Sequence, residues 1–149
     1  MPITKTVDPV AVADALRPVL LQVGRELRRE ARAAGASPEQ VGLLASIKYE
    51  PGIGIRELAQ RERVSPPAMT TRVDRLERDG LVERTQSEDD RRRVGITLTE
   101  DGQKLLRRVR SRRTAWLAQR LGELGDAELA AVEAAVGPLS RLLHEGEGR

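Results

Sequence analysis

The side chains that most invite a chemical reading in this 149-residue chain lie in one run, Glu88-Asp89-Asp90 followed at once by Arg91-Arg92-Arg93. Clustered carboxylates can share general acid and general base work, but they need a nucleophile and a pocket that holds a substrate against them. The flanking sequence supplies neither a nucleophile nor a Gly-rich cradle, so a small hydrolase built on this run is a poor reading. Cysteine is absent, which removes a disulfide framework, a thiolate metal site and a thiol redox sensor. The one histidine, His144, stands in a polar tail, where a Ser-His-Asp triad, a zinc centre or a haem ligand has nothing to build on. The expectation is a non-enzyme without metal or cofactor.

Arginine is the other candidate. Of the 26 cations only Lys5, Lys48 and Lys104 are lysines. The planar guanidinium fork matches phosphates and guanine edges better than an ammonium does, although an Arg- and Ala-rich composition can equally follow from genome base bias. The net charge is only +3, so the placement of the arginines has to decide. With Tyr49 and Trp116 as the only aromatics, no stacking platform for single-stranded DNA or RNA can be assembled. Duplex DNA is the nucleic acid this composition suits.

The elements that must position these groups follow from periodicity. A chain near 150 residues is expected to form one domain, 1–149. It contains no run approaching the ~18 uncharged apolar residues of a membrane-spanning helix. Residues 1–10 include Lys5 and Asp8 but no apolar h-region, so no secretory signal is expected and a cytoplasmic location is the default. Asp8-Pro9 opens a first helix whose stripe is Leu16, Leu20, Val23 and Leu27, with a bend expected at Pro18. Gly35 stops it, and Ser37-Pro38-Glu39-Gln40 is a capping box for a second helix with Val41, Leu44, Ala45 and Lys48 on one face. A short third helix spans about Ile55 to Arg61. Arg63-Val64-Ser65 then links it to a fourth, which carries Met69, Val73 and Leu76 on its apolar face and stops at Asp79-Gly80.

Beyond Gly80 the period becomes strand-like. Leu81–Thr85 and Val94–Leu98 flank the polar stretch Gln86 to Arg93, a hairpin with a long charged tip. Thr99-Glu100-Asp101 caps a fifth helix reaching Leu121, and a sixth, marked by Leu129, Val132, Val136, Leu139 and Leu143, ends near His144. The fold class is therefore mainly α with a small β-hairpin wing. It is a winged helix-turn-helix module, 37–98, flanked by N- and C-terminal helices, 8–34 and 99–144. These outer helices carry more apolar surface than the module can cover. Packing against a second copy is the simplest use of that surface, and it gives a homodimer with two helix-turn-helix units.

The second helix of such a unit lies in the major groove and needs short polar groups near its N-terminus with one or two arginines behind them. Ser65, Thr70, Thr71, Arg72 and Arg75 supply these opposite Met69, Val73 and Leu76, and Pro66 and Pro67 can meet thymine methyls. The wing tip counts as neutral, yet a single arginine, Arg91 or Arg92, can enter a narrow minor groove. The arginines of the fifth helix are expected to mix solvated face with salt bridges to Glu26 or Glu30, and Trp116 to serve packing or a pocket wall. A winged-helix module that binds another protein instead of specific DNA is the competing reading.

The strings Glu57-Leu58-Ala59, Val64-Ser65, Thr70, Val73-Asp74-Arg75-Leu76, Gly80-Leu81-Val82-Glu83-Arg84, Asp90-Arg91-Arg92 and Leu98-Thr99-Glu100-Asp101-Gly102 stand in register. Together they resemble the MarR (multiple antibiotic resistance regulator) family of winged-helix transcription factors. The resemblance implies an obligate homodimer on a roughly palindromic operator, usually a repressor that releases DNA when a small anionic or phenolic ligand binds. It implies that Asp90 is the acceptor holding a wing guanidinium. It also implies an effector pocket where the outer helices meet the winged helix, for which Leu16, Leu20, Val41, Leu44, Val109 and Trp116 are the candidates. Two departures bear on this. Many relatives carry Arg where this chain has Thr71, with Arg72 following, so the operator cannot be copied from a relative. The absence of cysteine excludes the thiol-oxidation switch of one branch, and the single histidine speaks against the metal-sensing branch.

Overall fold

A computed structural model describes residues 6–86, 89–90 and 92–144. In chain order these form α1 (Pro9–Ala33), α2 (Pro38–Tyr49), α3 (Ile55–Arg61), α4 (Pro66–Arg78), β1 (Val82–Gln86), β2 (Val94–Leu98), α5 (Glu100–Leu121) and α6 (Asp126–Arg141). The chain divides into two units, Met1–Arg113 and Thr114–Arg149, and the division falls within α5. The mainly helical architecture with a hairpin wing is the one its sequence predicts.

Local chemistry explains where the helices begin and end. The Asp8 side chain accepts from the Val10 N–H at 3.1 Å, and α1 then runs through Pro18 without interruption. Ser37 Oγ accepts from the Gln40 N–H at 3.1 Å while Gln40 Oε1 accepts from the Ser37 N–H at 2.9 Å, a closed capping box at the start of α2. Helix α4 ends on Gly80, whose φ of +74° lets the Leu81 N–H donate back to Leu76 O at 3.0 Å. The same back-bond closes α3, from the Val64 N–H to Ala59 O at 3.0 Å, but there the left-handed position is Arg63, with φ +54°. A residue with a Cβ is held in that region at a cost of ~1–2 kcal/mol. The packing of α3 on α4 through buried Leu58, Ala59 and Met69 offsets it.

Helix α2 departs from its predicted face. It buries Val41, Leu43, Leu44 and Ile47, whereas Ala45 and Lys48 are exposed. The physical reason is that α2 packs against both α1 and β2, so its covered arc is wider than a single surface stripe and turned toward Leu43 and Ile47. These side chains join Ile53, Leu58, Met69, Val73, Leu76, Val82, Ile96, Leu105 and Val109 in one core. β1 pairs antiparallel with β2, Val82 opposite Leu98 and Gln86 opposite Val94, one residue later at each end than the predicted Leu81–Thr85 strand. Ile53 adds a single bridge to Ile96, which brings the Gly52 backbone against Gly95.

Thr99 ties the wing to α5: its hydroxyl donates to Gly80 O at 2.6 Å and accepts from the Gly102 N–H at 3.1 Å. Further along α5, Arg112 pairs with Glu30 at 3.1 Å, as the sequence suggests, while Glu26 pairs with Arg29 instead. Arg108 and Arg113 donate through Nε to the α1 carbonyls of Ala34 and Leu27 at 3.1 and 3.0 Å. The dipole of α1 favours a cation at its C-cap carbonyl, Ala34 O, and together the two arginines fasten α1 to α5. In the second unit α6 buries no side chain, and Arg120 lies 5.7 Å from the centre of the half-buried Trp116 ring.

Candidate nucleic-acid interface

Helix α4 presents one polar side because its other side is consumed by the core. Met69 and Val73 are fully buried and Leu76 nearly so. Ser65, Pro66, Pro67, Thr70, Thr71 and Arg75 are exposed, and Arg72 is half-buried beside them. Ser65 Oγ accepts from the Ala68 N–H at 3.3 Å and sets the start of the helix. The Thr70 and Thr71 hydroxyls donate to the carbonyls of Pro66 and Pro67 at 3.0 and 3.2 Å, which leaves their oxygens to act as acceptors. The α4 residues expected on the groove-facing side are thus accessible, with Arg72 the least exposed of them.

Two arginines near this surface are tethered to carboxylates that sequence reasoning does not connect with them. Arg72 Nε lies 2.8 Å from Glu39 Oε1, at the start of α2. Arg84, in β1, donates to Asp74 at 2.6 Å and to Glu77 at 2.7 Å, both on α4. The Asp74 hydrogen bond is the largest cause raising the Arg84 guanidinium above its already high range; partial burial opposes it, and the charges of Glu77 and Asp74 add to it. The signal that could have found this clamp is the spacing of Asp74 and Glu77, three apart on one side of a helix that feeds directly into the strand carrying Arg84.

In the wing, Asp90 and Arg92 are exposed. Asp90 Oδ1 accepts from the Arg92 backbone N–H at 3.0 Å, and the Asp90 carbonyl accepts from the Arg93 N–H at 2.9 Å. Asp90 therefore folds the chain locally, as aspartates in turns do. Glu88 and the alternative wing arginine, Arg91, lie outside the described residues.

Of the residues proposed for an effector pocket, three are buried in the first unit. Val41, Leu44 and Val109 are 7%, 0% and 2% exposed and belong to the core. Their apolar character is spent on packing. Leu16 is half-buried and Leu20 exposed on α1, and Trp116 belongs to the second unit. Two open cavities lie elsewhere in the first unit. One, of about 240 Å³, sits between the start of α2 and α4 over Leu43 and Leu76, beside Arg72 and Arg75. The other, of about 380 Å³, is bordered by Asp79, Asp101, Lys104 and Arg108.

With this geometry in place, comparison with known proteins is informative. Residues 36–94 match the model of the MarR family. The HTH-type transcriptional repressor MdtR of Bacillus subtilis is 31% identical over 115 residues, covering 77% of this chain and 74% of that protein. A putative transcriptional regulator of Pseudomonas aeruginosa has a crystal structure with a TM-score of 0.80 at 30% identity, covering 92% of this chain and 96% of that one. The FabT protein of Streptococcus pneumoniae, solved in complex with DNA, shares the fold with a TM-score of 0.70 at 22% identity, over 89% of this chain and 97% of that one.

Proposed function

The chain belongs to the MarR family of transcriptional regulators, and from that premise we propose that it is a homodimeric repressor which binds a palindromic operator in duplex DNA and is released by a small anionic or phenolic effector. The observation that carries the reading is the accessible polar side of α4, from Ser65 through Arg75, held rigidly by the burial of Met69, Val73 and Leu76 behind it. In the major groove this side offers Ser65, Thr70 and Thr71 to phosphates or base edges, Pro66 and Pro67 to thymine methyls, and Arg72 and Arg75 to guanine or phosphate. The Asp90 turn carries Arg92 toward the minor groove, where the negative potential of an A·T-rich segment attracts it.

Repression and release follow from spacing. Two recognition helices read successive major grooves only when they stand ~34–36 Å apart or a multiple of that. An effector that favours another separation lowers affinity by its differential binding to the two states, and ~1–3 kcal/mol of coupling is enough. MdtR is itself named a repressor, which supports the sign of regulation.

The test is to recover genomic fragments retained by the purified protein, footprint the common site, and titrate that duplex at several salt concentrations. Arg72→Ala or Arg92→Ala should weaken operator binding by ~1–3 kcal/mol. The affinity should fall with salt with a log–log slope near −0.9 for each phosphate neutralised. Retention of no specific fragment, with a salt-independent interaction, would instead favour a protein-binding module.

A further inference from the structure

Glu39 is an unexpected neighbour for a residue meant to meet DNA. It sits in the first turn of α2, one residue past Pro38, in a segment whose backbone is fixed by the reciprocal Ser37–Gln40 capping bonds. Thirty-three positions away in sequence, Arg72 projects from α4 and meets its carboxylate at 2.8 Å through Nε. With side chains 59% and 36% exposed, the pair contributes little to stability, since exposed ion pairs rarely do. Its geometry matters more than its energy. An arginine has five donors in a planar fork, and a carboxylate that meets it as a charge contact at Nε holds the guanidinium in place while leaving the Nη1 and Nη2 donors to address a base or phosphate. The cavity of about 240 Å³ beside Arg72 is open space in which an untethered guanidinium has other rotamers to visit.

We propose that Glu39 is a positioning residue for DNA recognition: it fixes the Arg72 fork in one orientation and thereby sets operator discrimination. The inference rests on the reading of Arg72 as a DNA contact. Preorganisation removes the ordering cost of a long side chain at the moment of binding. A carboxylate close to the phosphate backbone repels every sequence equally, so it weakens overall grip without changing discrimination. Only the preorganisation acts on the ratio of operator to non-operator affinity.

The experiment compares operator and scrambled duplexes with the wild-type protein, Glu39→Gln, Glu39→Ala, Arg72→Ala and the Glu39→Ala/Arg72→Ala double variant at one salt concentration. The affinity ratio should fall by about two- to tenfold in Glu39→Ala, by the ordering cost of one side chain. The fall should be of similar size in Glu39→Gln, which removes the charge that holds the guanidinium. Melting temperature should not change, because Glu39 is exposed. In the Arg72→Ala background, removing Glu39 should have no further effect on the ratio. An unchanged or larger ratio in Glu39→Ala, or an equal fall with and without Arg72, overturns the positioning role while leaving Arg72 as a DNA contact. A ratio untouched by Arg72→Ala itself removes the underlying reading, and the role of Glu39 falls with it.

Discussion

Arg84 on β1 grips Asp74 on α4 at 2.6 Å and, through its other terminal nitrogen, Glu77 one turn further along at 2.7 Å. A strand of the wing is thereby joined to the helix proposed to enter the major groove, so strand and helix hold one relative orientation. The guanidinium is suited to this because a single planar group can serve two carboxylates at once, which an ammonium cannot do with the same rigidity.

Replacing Arg84 by Ala should therefore do more to function than to folding. Loss of a partly exposed double ion pair is expected to cost ~1 kcal/mol, or about 2–4 °C in melting temperature for a chain of this size. Operator affinity should drop further than that, because wing and helix no longer share one geometry. Arg84→Lys should restore stability more fully than affinity. Equal recovery of both, by thermal melting and duplex titration, would show that charge alone matters at this position.

The turn between α3 and α4 allows a second check. Arg63 occupies a left-handed conformation at φ +54°, where Gly80 serves after α4. Arg63→Gly should relieve the steric cost and leave stability equal or up to ~1 kcal/mol higher, the gain being limited by the entropy glycine adds to the unfolded chain. Arg63→Val, β-branched in the same position, should lose ~1–2 kcal/mol. In urea unfolding the two variants should shift in opposite directions or, at least, differ in unfolding free energy by more than ~1 kcal/mol. Coincident midpoints would mean that the turn carries no conformational strain.

Much of this architecture is legible in the sequence because its signals are local. Ser37, Ser65 and Thr99 announce helix starts by chemistry acting over three residues, and the Met69, Val73 and Leu76 stripe defines the polar side of α4 by subtraction. The misreadings all involve partners distant along the chain. Periodicity cannot show that α2 is covered from two sides, so it does not distinguish the buried Ile47 from the exposed Lys48. Nothing in residues 70–78 indicates that Arg72 meets Glu39, and nothing in a row of arginines distinguishes those that bind α1 carbonyls, Arg108 and Arg113, from those that face solvent.

Close backbone approach makes two glycines irreplaceable and leaves a third improvable. A methyl group on Gly95 would stand 2.5 Å from the Gly52 carbonyl oxygen, and one on Gly102 would run into the Leu81 carbonyl oxygen. Each Gly→Ala change should cost ~1–3 kcal/mol by overpacking against backbone that cannot yield. Gly42, inside α2, has nothing within 4 Å of the corresponding position. Gly42→Ala should therefore stabilise by ~0.4–1 kcal/mol through helix propensity and a less flexible unfolded chain. Denaturant unfolding of the three variants checks the order, and a destabilised Gly42→Ala would point to a neighbour that one copy of the chain does not contain.

The exposed apolar side of α6 yields the sharpest test of dimerisation. Leu129, Val132 and Val136, spaced three and four apart, are 40%, 41% and 59% exposed on a helix that buries none of its side chains. Such a stripe is costly to leave in water and is what a second copy would cover. Val136→Glu would place a charge in that contact, where it has no partner and pays for desolvation. The variant should sediment near the 16.4 kDa of one chain and should lose operator binding, since one recognition helix cannot hold two half-sites. Ala134→Glu, two residues away on the other side of the helix, should change neither mass nor affinity. If Val136→Glu keeps twice the single-chain mass, α6 is not the interface and the dimer must be held elsewhere.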